Sequence, residues 1–345
     1  MPKCDIIIPV WNKLEYTKSC IASIMEKTKY PYRLIIVDNA SLPETATFLE
    51  NLAASGRGEV LLIRNEQNEG FIKAINKGIR ACRAPYICIL NNDTVVTEGW
   101  MEESIKVLTG DASIGIVNPS SNTLGQKLGK NVTPDTWAAD SKAQSGNYIE
   151  LKTAAGFCMF MRKEIFDTVG LLDEAYGMGN FDDMDFSLRA REKGYKIVRA
   201  LAAYVYHTEK SSFRILRNFG KDFKRNREAF EAKWGRTERI AVVFGEINGA
   251  TLARLGQIVE KHAMESSWVY VIAPFFDTRE FMRKFSGITF YHFRRFFYLR
   301  AFLKILFKRK KPRVFYCDNG IFSSALRIFL SPLNPFMKPF RRGAI

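Results

Sequence analysis

At 345 residues, 47% of them hydrophobic and 26% charged, the chain exceeds one ordinary domain and holds apolar material for two cores. No low-complexity tract or internal repeat is present, and no apolar run reaches the roughly 18 residues of a membrane span. The formal charge of +16 calls for an anionic partner, which leaves nucleic acid, anionic lipid and phosphorylated substrates open.

The six cysteines are scattered without a CxxC pair, a pattern of reduced thiols rather than of a disulfide framework or a zinc site. The first residues lead straight into an apolar run, with no signal peptide. A cytoplasmic protein is expected, soluble or at most peripheral at the inner face of a membrane.

Residues 5–10 form a short apolar run, which predicts a strand buried on both faces. Helical spacing follows over 14–27, then a second buried strand at 33–38 that ends in the turn-rich Asn39-Ala40-Ser41. A helix is predicted over 43–54, a strand at 60–63, a helix over 71–82 and a strand at 86–90, with Asn91, Asn92 and Asp93 at its end. Such alternation predicts an α/β fold with a mostly parallel, helix-covered sheet. Ligands of these sheets sit beyond the carboxyl ends of the strands, where Asn12, Asp38, Asn39 and Asp93 fall.

From 110 to 147 the pattern weakens into loop-like sequence, which marks a functional or mobile stretch. Order returns with an apolar run at 154–160 and a helix at 163–169. Next come the acidic Asp182-Asp183-Met184-Asp185, a helix to about residue 193 and a strand ending at His207. After a polar, basic stretch the alternation starts afresh, with strands expected at 240–244, 268–272, 288–292 and 313–317. The expected organisation is a domain over 1–215, split into a nucleotide-binding half (1–110) and an acceptor half (111–215). A basic linker (216–237) and a smaller Rossmann-like α/β unit (238–345) complete it, the latter either cut from something longer or reduced for docking.

Several short pieces carry a family resemblance in their order. They are Ile8-Pro9-Val10-Trp11-Asn12, Ile36-Val37-Asp38-Asn39-Ala40-Ser41, and residues 65–71 with Asn76 and Gly78. Leu90-Asn91-Asn92-Asp93, Gly156-Phe157, residues 181–185 and Tyr206-His207 continue the series. Over residues 4 to about 215 the chain resembles glycosyltransferase family 2, of the GT-A fold.

The resemblance implies an inverting transfer from a nucleotide-sugar donor, assisted by a divalent metal, Mn2+ or Mg2+. Asn91-Asn92-Asp93 stands where a DXD motif is expected, which makes Asp93 the metal-binding carboxylate and Asn91 a ligand of ribose or phosphate. His207 joins Asp93 on the metal by the same resemblance. A direct displacement at the anomeric carbon needs a carboxylate to accept the acceptor's proton. Asp183 is the first choice, with Asp182 and Asp185 as second choices, although acidic first-turn residues also simply stabilise helices. Pro9, Val10, Asn12, Asp38, Asn39, Gly70, Asn76 and Asn92 are placed around the donor nucleotide, and Gly156 beside the sugar.

The donor is read as a UDP- or dTDP-sugar, and the acceptor as a glycan or lipid-linked saccharide of a cell-surface polysaccharide. Two basic stretches stay open. Residues 212–227 close over the diphosphate, steer the acceptor or form a solvated face; 293–313 either rests on an anionic membrane or is a core helix with a basic end. Two other classes compete. A sugar-nucleotide pyrophosphorylase would want a Gly- and Lys/Arg-rich loop after the first strand, where Trp11-Asn12-Lys13-Leu14 stands instead. A non-catalytic nucleotide-sugar or polyanion-binding protein would use the charge alone; no nucleic-acid motif is present.

Overall fold

In a computed structural model the described residues are 3–124, 128–129, 132–208, 219–235, 238–264, 267–278, 281, 287–308 and 311–330. The chain divides into two compact units, Met1–Lys233 and Trp234–Ile345.

The first unit opens with β1 (Cys4–Val10), α1 (Leu14–Lys27), β2 (Tyr32–Asp38), α2 (Pro43–Ala54), β3 (Val60–Arg64), α3 (Phe71–Ala81) and β4 (Tyr86–Leu90). These four strands are parallel and lie in the order β3-β2-β1-β4. Every residue of β1 is buried, because both faces of this strand are covered. Ile6, Ile8, Leu34 and Ile36 pack in one cluster with Ile21 and Ile24 of α1 and Leu49 of α2. Each such fully buried side chain contributes about 2 kcal/mol. Pro9 lies past Ile7–Ile89, the last β1–β4 pair, so its missing N–H breaks no rung on that side. The two strands part there, at the crevice such sheets use for ligands.

The unit continues with β5 (Thr94–Val96), α4 (Trp100–Gly110), β6 (Ile114–Ser120), α5 (Pro134–Ser141), β7 (Tyr148–Leu151) and β8 (Cys158–Arg162). After these come α6 (Ile165–Val169), α7 (Asp182–Glu192), β9 (Lys196–His207) and α8 (Phe219–Trp234). The sheet extends as β4-β8-β6-β9-β5, with β7 also on β9. β8 is antiparallel to both β4 and β6, whereas β6 and β9 are parallel. The half beyond β4 is therefore mixed.

The stretch 110–147 departs from the expected irregular loop, for it contains a fully buried interior strand, β6. Gly115 interrupts its apolar pattern, yet a side chain there would put Cβ 2.7 Å from Cβ of Tyr195. The strand is set by that close approach, a tertiary requirement no local periodicity reports. Within the apolar run at 154–160 the strand β8 begins only at Cys158, which leaves Ala154 to Phe157 free to turn. Most of the stretch expected as a basic linker, 216–237, is the helix α8.

The second unit holds β10 (Arg239–Val243), α9 (Gly249–Met264), β11 (Trp268–Ala273), β12 (Ile288–His292), α10 (Phe297–Leu306), β13 (Val314–Cys317) and α11 (Gly320–Leu330). Its four strands are parallel in the order β12-β11-β10-β13. Leu255, Ile258 and Val259 of α9 cover one face of this sheet, and α10 with α11 covers the other. Among the described residues no helix is long and apolar enough to cross a membrane.

Candidate active site

The carboxyl end of β4, the turn before β8, the N-terminus of α7 and the end of β9 meet at one edge of the mixed sheet. Between them lies a cleft of about 320 Å³ lined by Asn91, Gly156, Phe157, Asp182, Asp183 and His207, among others.

β5 pairs antiparallel with the end of β9, setting Thr94 opposite His207. This pairing brings Nε2 of His207 to 3.2 Å from Oδ1 of Asp93. Three neighbours hold His207, one on its backbone and two at its ring. The Asn122 amide accepts from the His207 N–H and donates to its carbonyl, both at 2.8 Å. The Phe157 ring stacks on it at 5.4 Å and 17°. The Thr123 hydroxyl lies 3.5 Å from Nδ1.

Two carboxylates face this pair across the cleft. Asp183 is fixed by backbone donors: the Gly156 N–H reaches its Oδ2 and the Met184 N–H its Oδ1, each at 2.8 Å. A Cβ at position 156 would stand 3.3 Å from Oδ2 of Asp183, so glycine lets the turn come close enough to donate. Burial raises the Asp183 carboxyl above the ordinary carboxylate range. Burial, and the Asp183 charge beside it, push Asp182 up to about 8. Two buried carboxyls this close resist ionising together, so the pair tends to retain a proton that exposed aspartates would lose.

The loop entering α7 is strained, with Asn180 at φ 74° and Phe181 at φ 72°. α8 holds it. Asn226, which is buried, donates both amide hydrogens to the carbonyls of Tyr176 (2.7 Å) and Gly179 (2.8 Å). Phe181 packs its ring on Phe223 and Phe230 of the same helix. The sequence alone did not single out Asn122, Thr123 or Asn226. Their only signal was polarity in segments with no motif.

Other expected site residues do different work. Asp185 is a correction: both its oxygens are engaged in ion pairs, Oδ2 with Arg189 at 2.8 Å and Oδ1 with Lys233 at 2.7 Å. Fully buried and neutralised, it anchors α7 to α8 and is no base. Asn39 uses all four of its hydrogen-bonding positions on Asn65, Asn68, Glu69 and Gly70, so it ties loops together. Asn76 is buried in α3 and bonds Leu172 and Glu174, which pins the 172–174 segment. Asn92 donates to Thr17 on α1. Within 212–227, positions 212–218 lie outside the described residues. Farther along α8, Lys224, Arg225 and Arg227 pair with acidic neighbours one turn away, as on a solvated helix face.

Pro9, Val10, Asn12 and Asp38 cluster at the ends of β1 and β2. Asn12 accepts from the Leu42 N–H at 2.7 Å. Asp38 accepts from the Ser41 N–H through Oδ1, while its buried Oδ2 lacks a hydrogen bond among the described residues, with Arg64 Nε 3.6 Å away. Gly70 adopts φ 94° and offers its carbonyl to Asn39. Asn91 also carries an orphan, a buried Oδ1 without a partner among the described residues. Such groups are costly unless a ligand completes them.

Among the described residues no three His, Cys, Asp or Glu side chains gather to hold a metal by themselves. Asp93 and His207 form a two-donor set. With the orphaned Asn91 oxygen on the same turn, its donor chemistry would suit a divalent ion.

A parallel β3-β2-β1-β4 half joined to a mixed half, with acids gathered at the carboxyl edge, is a GT-A fold. The crystal structure of GalNAc-T7 with UDP, GalNAc and Mn2+ matches it with a TM-score of 0.50 at 17% identity, over 66% of this chain and 48% of that one. That likeness concerns the fold alone. Residues 5–170, just under half of the chain, match the sequence model of glycosyl transferase family 2. The chain's relatives include the glycosyltransferase AglE of Haloferax volcanii, 22% identical over 58% of this chain and 65% of that one. The O-antigen biosynthesis protein RfbC of Myxococcus xanthus is 23% identical over 62% of this chain and 18% of its own length. The matched stretch thus spans less than two thirds of either relative.

Proposed function

We propose that the N-terminal unit is an inverting glycosyltransferase. It moves a sugar from a UDP- or dTDP-sugar to a hydroxyl of a glycan or lipid-linked acceptor in cell-surface polysaccharide synthesis. The observation that carries this is one cleft lined by His207, Asp182 and Asp183, with Asp93 3.2 Å from His207. The family match, and relatives named for glycosyl transfer and O-antigen synthesis, support it.

Asp183 is the base. Its two backbone hydrogen bonds aim the carboxylate, and its raised pKa makes it a better proton acceptor than an exposed aspartate. Asp182 keeps its proton near neutrality and so adds no second charge against the incoming hydroxyl. Asp93 and His207 would hold a divalent cation, which supplies positive charge against the departing diphosphate. Oδ2 of Asp38, which accepts no hydrogen bond among the described residues and lies 3.6 Å from Arg64 Nε, would accept the imide N–H of uracil or thymine, and Asn91 would offer its Oδ1 to the ribose or a bound water.

Incubating the full chain with UDP- and dTDP-sugars, Mn2+ and a saccharide acceptor should release nucleoside diphosphate and form a glycoside. Release of pyrophosphate from a nucleoside triphosphate would replace this proposal with a nucleotidyltransferase. Donor binding with no turnover on any acceptor would leave only a nucleotide-sugar-binding protein.

A further inference from the structure

One face of the second unit takes no part in the cleft described above. α10 is apolar on two sides. Ala301 and Ile305 go inward to the core shared with Phe315 and Leu326. Phe296, Leu299, Leu303 and Phe307, at three- and four-residue spacing, make a second stripe that points out, with Phe296 75% and Phe307 79% exposed. α11 repeats the pattern. Phe322 and Leu326 face the core, while Ile321, 85% exposed, and Ile328 face outward. Between the helices runs an apolar groove of about 420 Å³, where the rings of Phe302 and Phe329 meet at 5.4 Å. Soluble surfaces carry such side chains singly; a contiguous set marks a place of interaction.

Charge selects the occupant. Residues 287–330 contain ten Lys and Arg against one acid, Asp318. Arg294, Arg295, Arg300, Lys304 and Arg327 are exposed beside the two stripes. Leu299, Leu303, Ile321 and Ile328, which make up half or more of the exposed apolar set, offer no plane for a base to stack on, so nucleic acid would use only part of this face. Bulky apolar stripes edged by cations suit an anionic bilayer, whose acyl boundary receives the former while its headgroups meet the latter.

We propose that the α10–α11 face of the second unit docks the chain onto an anionic membrane. The inference stands apart from the transferase proposal, because its readout is binding and not turnover.

The test is co-sedimentation of the full chain with vesicles of mixed phosphatidylglycerol and phosphatidylcholine, against phosphatidylcholine alone. Binding to the anionic vesicles only, weakened by salt, is expected. Arg294→Gln, Arg295→Gln and Arg300→Gln together should lower partitioning roughly a hundredfold, about fivefold per cation or ~1 kcal/mol each. Phe307→Ser with Ile321→Ser should lower it about tenfold or more while the thermal melt stays unchanged, since both side chains are exposed. Failure to sediment with anionic vesicles overturns the proposal, as does equal binding by the variants. A homodimer that dissociates on Phe307→Ser with Ile321→Ser would assign the face to a second copy, and RNA binding without vesicle binding would assign it to nucleic acid; either result overturns it too.

Discussion

In the first unit the parallel strands lie as β3-β2-β1-β4; in the second, β12-β11-β10-β13 repeats the same relative order. At the carboxyl edge of the first parallel sheet, where the antiparallel β8 begins, stand Asp38, Asn91, Asp93 and the α7 acids, several buried and two with an oxygen that accepts no hydrogen bond among the described residues. The corresponding edge of the second sheet closes on itself. Asp318, just after β13, accepts from the Gly245 N–H and from the Tyr298 hydroxyl, which fills the place where the strands part. What stays unsatisfied in the second unit is apolar and faces outward, on α10 and α11. One strand order therefore serves two ends, because topology supplies a crevice and only the side chains at its rim supply chemistry.

The sharpest way to break this comparison is a matched pair of substitutions. Asp183→Asn should lower kcat by about 10²–10⁴-fold with UDP affinity nearly intact, whereas Asp318→Asn should leave turnover alone. Steady-state kinetics with calorimetric UDP titration decide it, and a crippled Asp318→Asn enzyme would mean that both edges act in one reaction. Chelation comes next. EDTA should stop nucleoside diphosphate release and Mn2+ restore it, with His207→Ala raising the Mn2+ needed for half-maximal rate.

A smaller effect lies in stability against pH. The folded-state pKa of Asp182, about 8, exceeds the ordinary 3.8, so the folded chain holds a proton that the unfolded chain gives up. Stability should then fall as pH rises between about 4 and 8, and Asp182→Asn should flatten that slope in denaturant titrations. Last, Asn226→Ala strands the carbonyls of Tyr176 and Gly179 and should cost about 2–3 kcal/mol. Because that loop leads into α7, kcat should drop while the donor KM holds. An unchanged kcat would make α8 a structural brace only.

Much of the fold was legible because its cause is local. Buried parallel strands read as unbroken apolar runs, and the predicted helices at 14–27 and 43–54 coincide with α1 and α2. The interior strand β6 escaped notice because Gly115 and Pro119 blur its pattern, while the close approach of Tyr195 that demands the glycine comes from far along the chain. At the site, motif order pointed to Asp93, His207 and Asp183; His207 and Asp183 line one cleft, and Asp93 lies 3.2 Å from His207. It also pointed to Asp185, Asn39 and Asn76, which resemble ligands in sequence yet hold the scaffold.

By itself, then, the sequence determined the parallel strands with the helices between them, a family resemblance and which polar residues fall at strand ends. Residue type and short-range spacing encode all of these. Only the tertiary structure decided which of those polar groups stay free. A carboxylate becomes base or anchor according to what stands within about 3 Å of it. For Asp185 that neighbour is Lys233 on α8, while for Asp183 it is the backbone of Gly156. Neither distance is written in the spacing of the acids themselves.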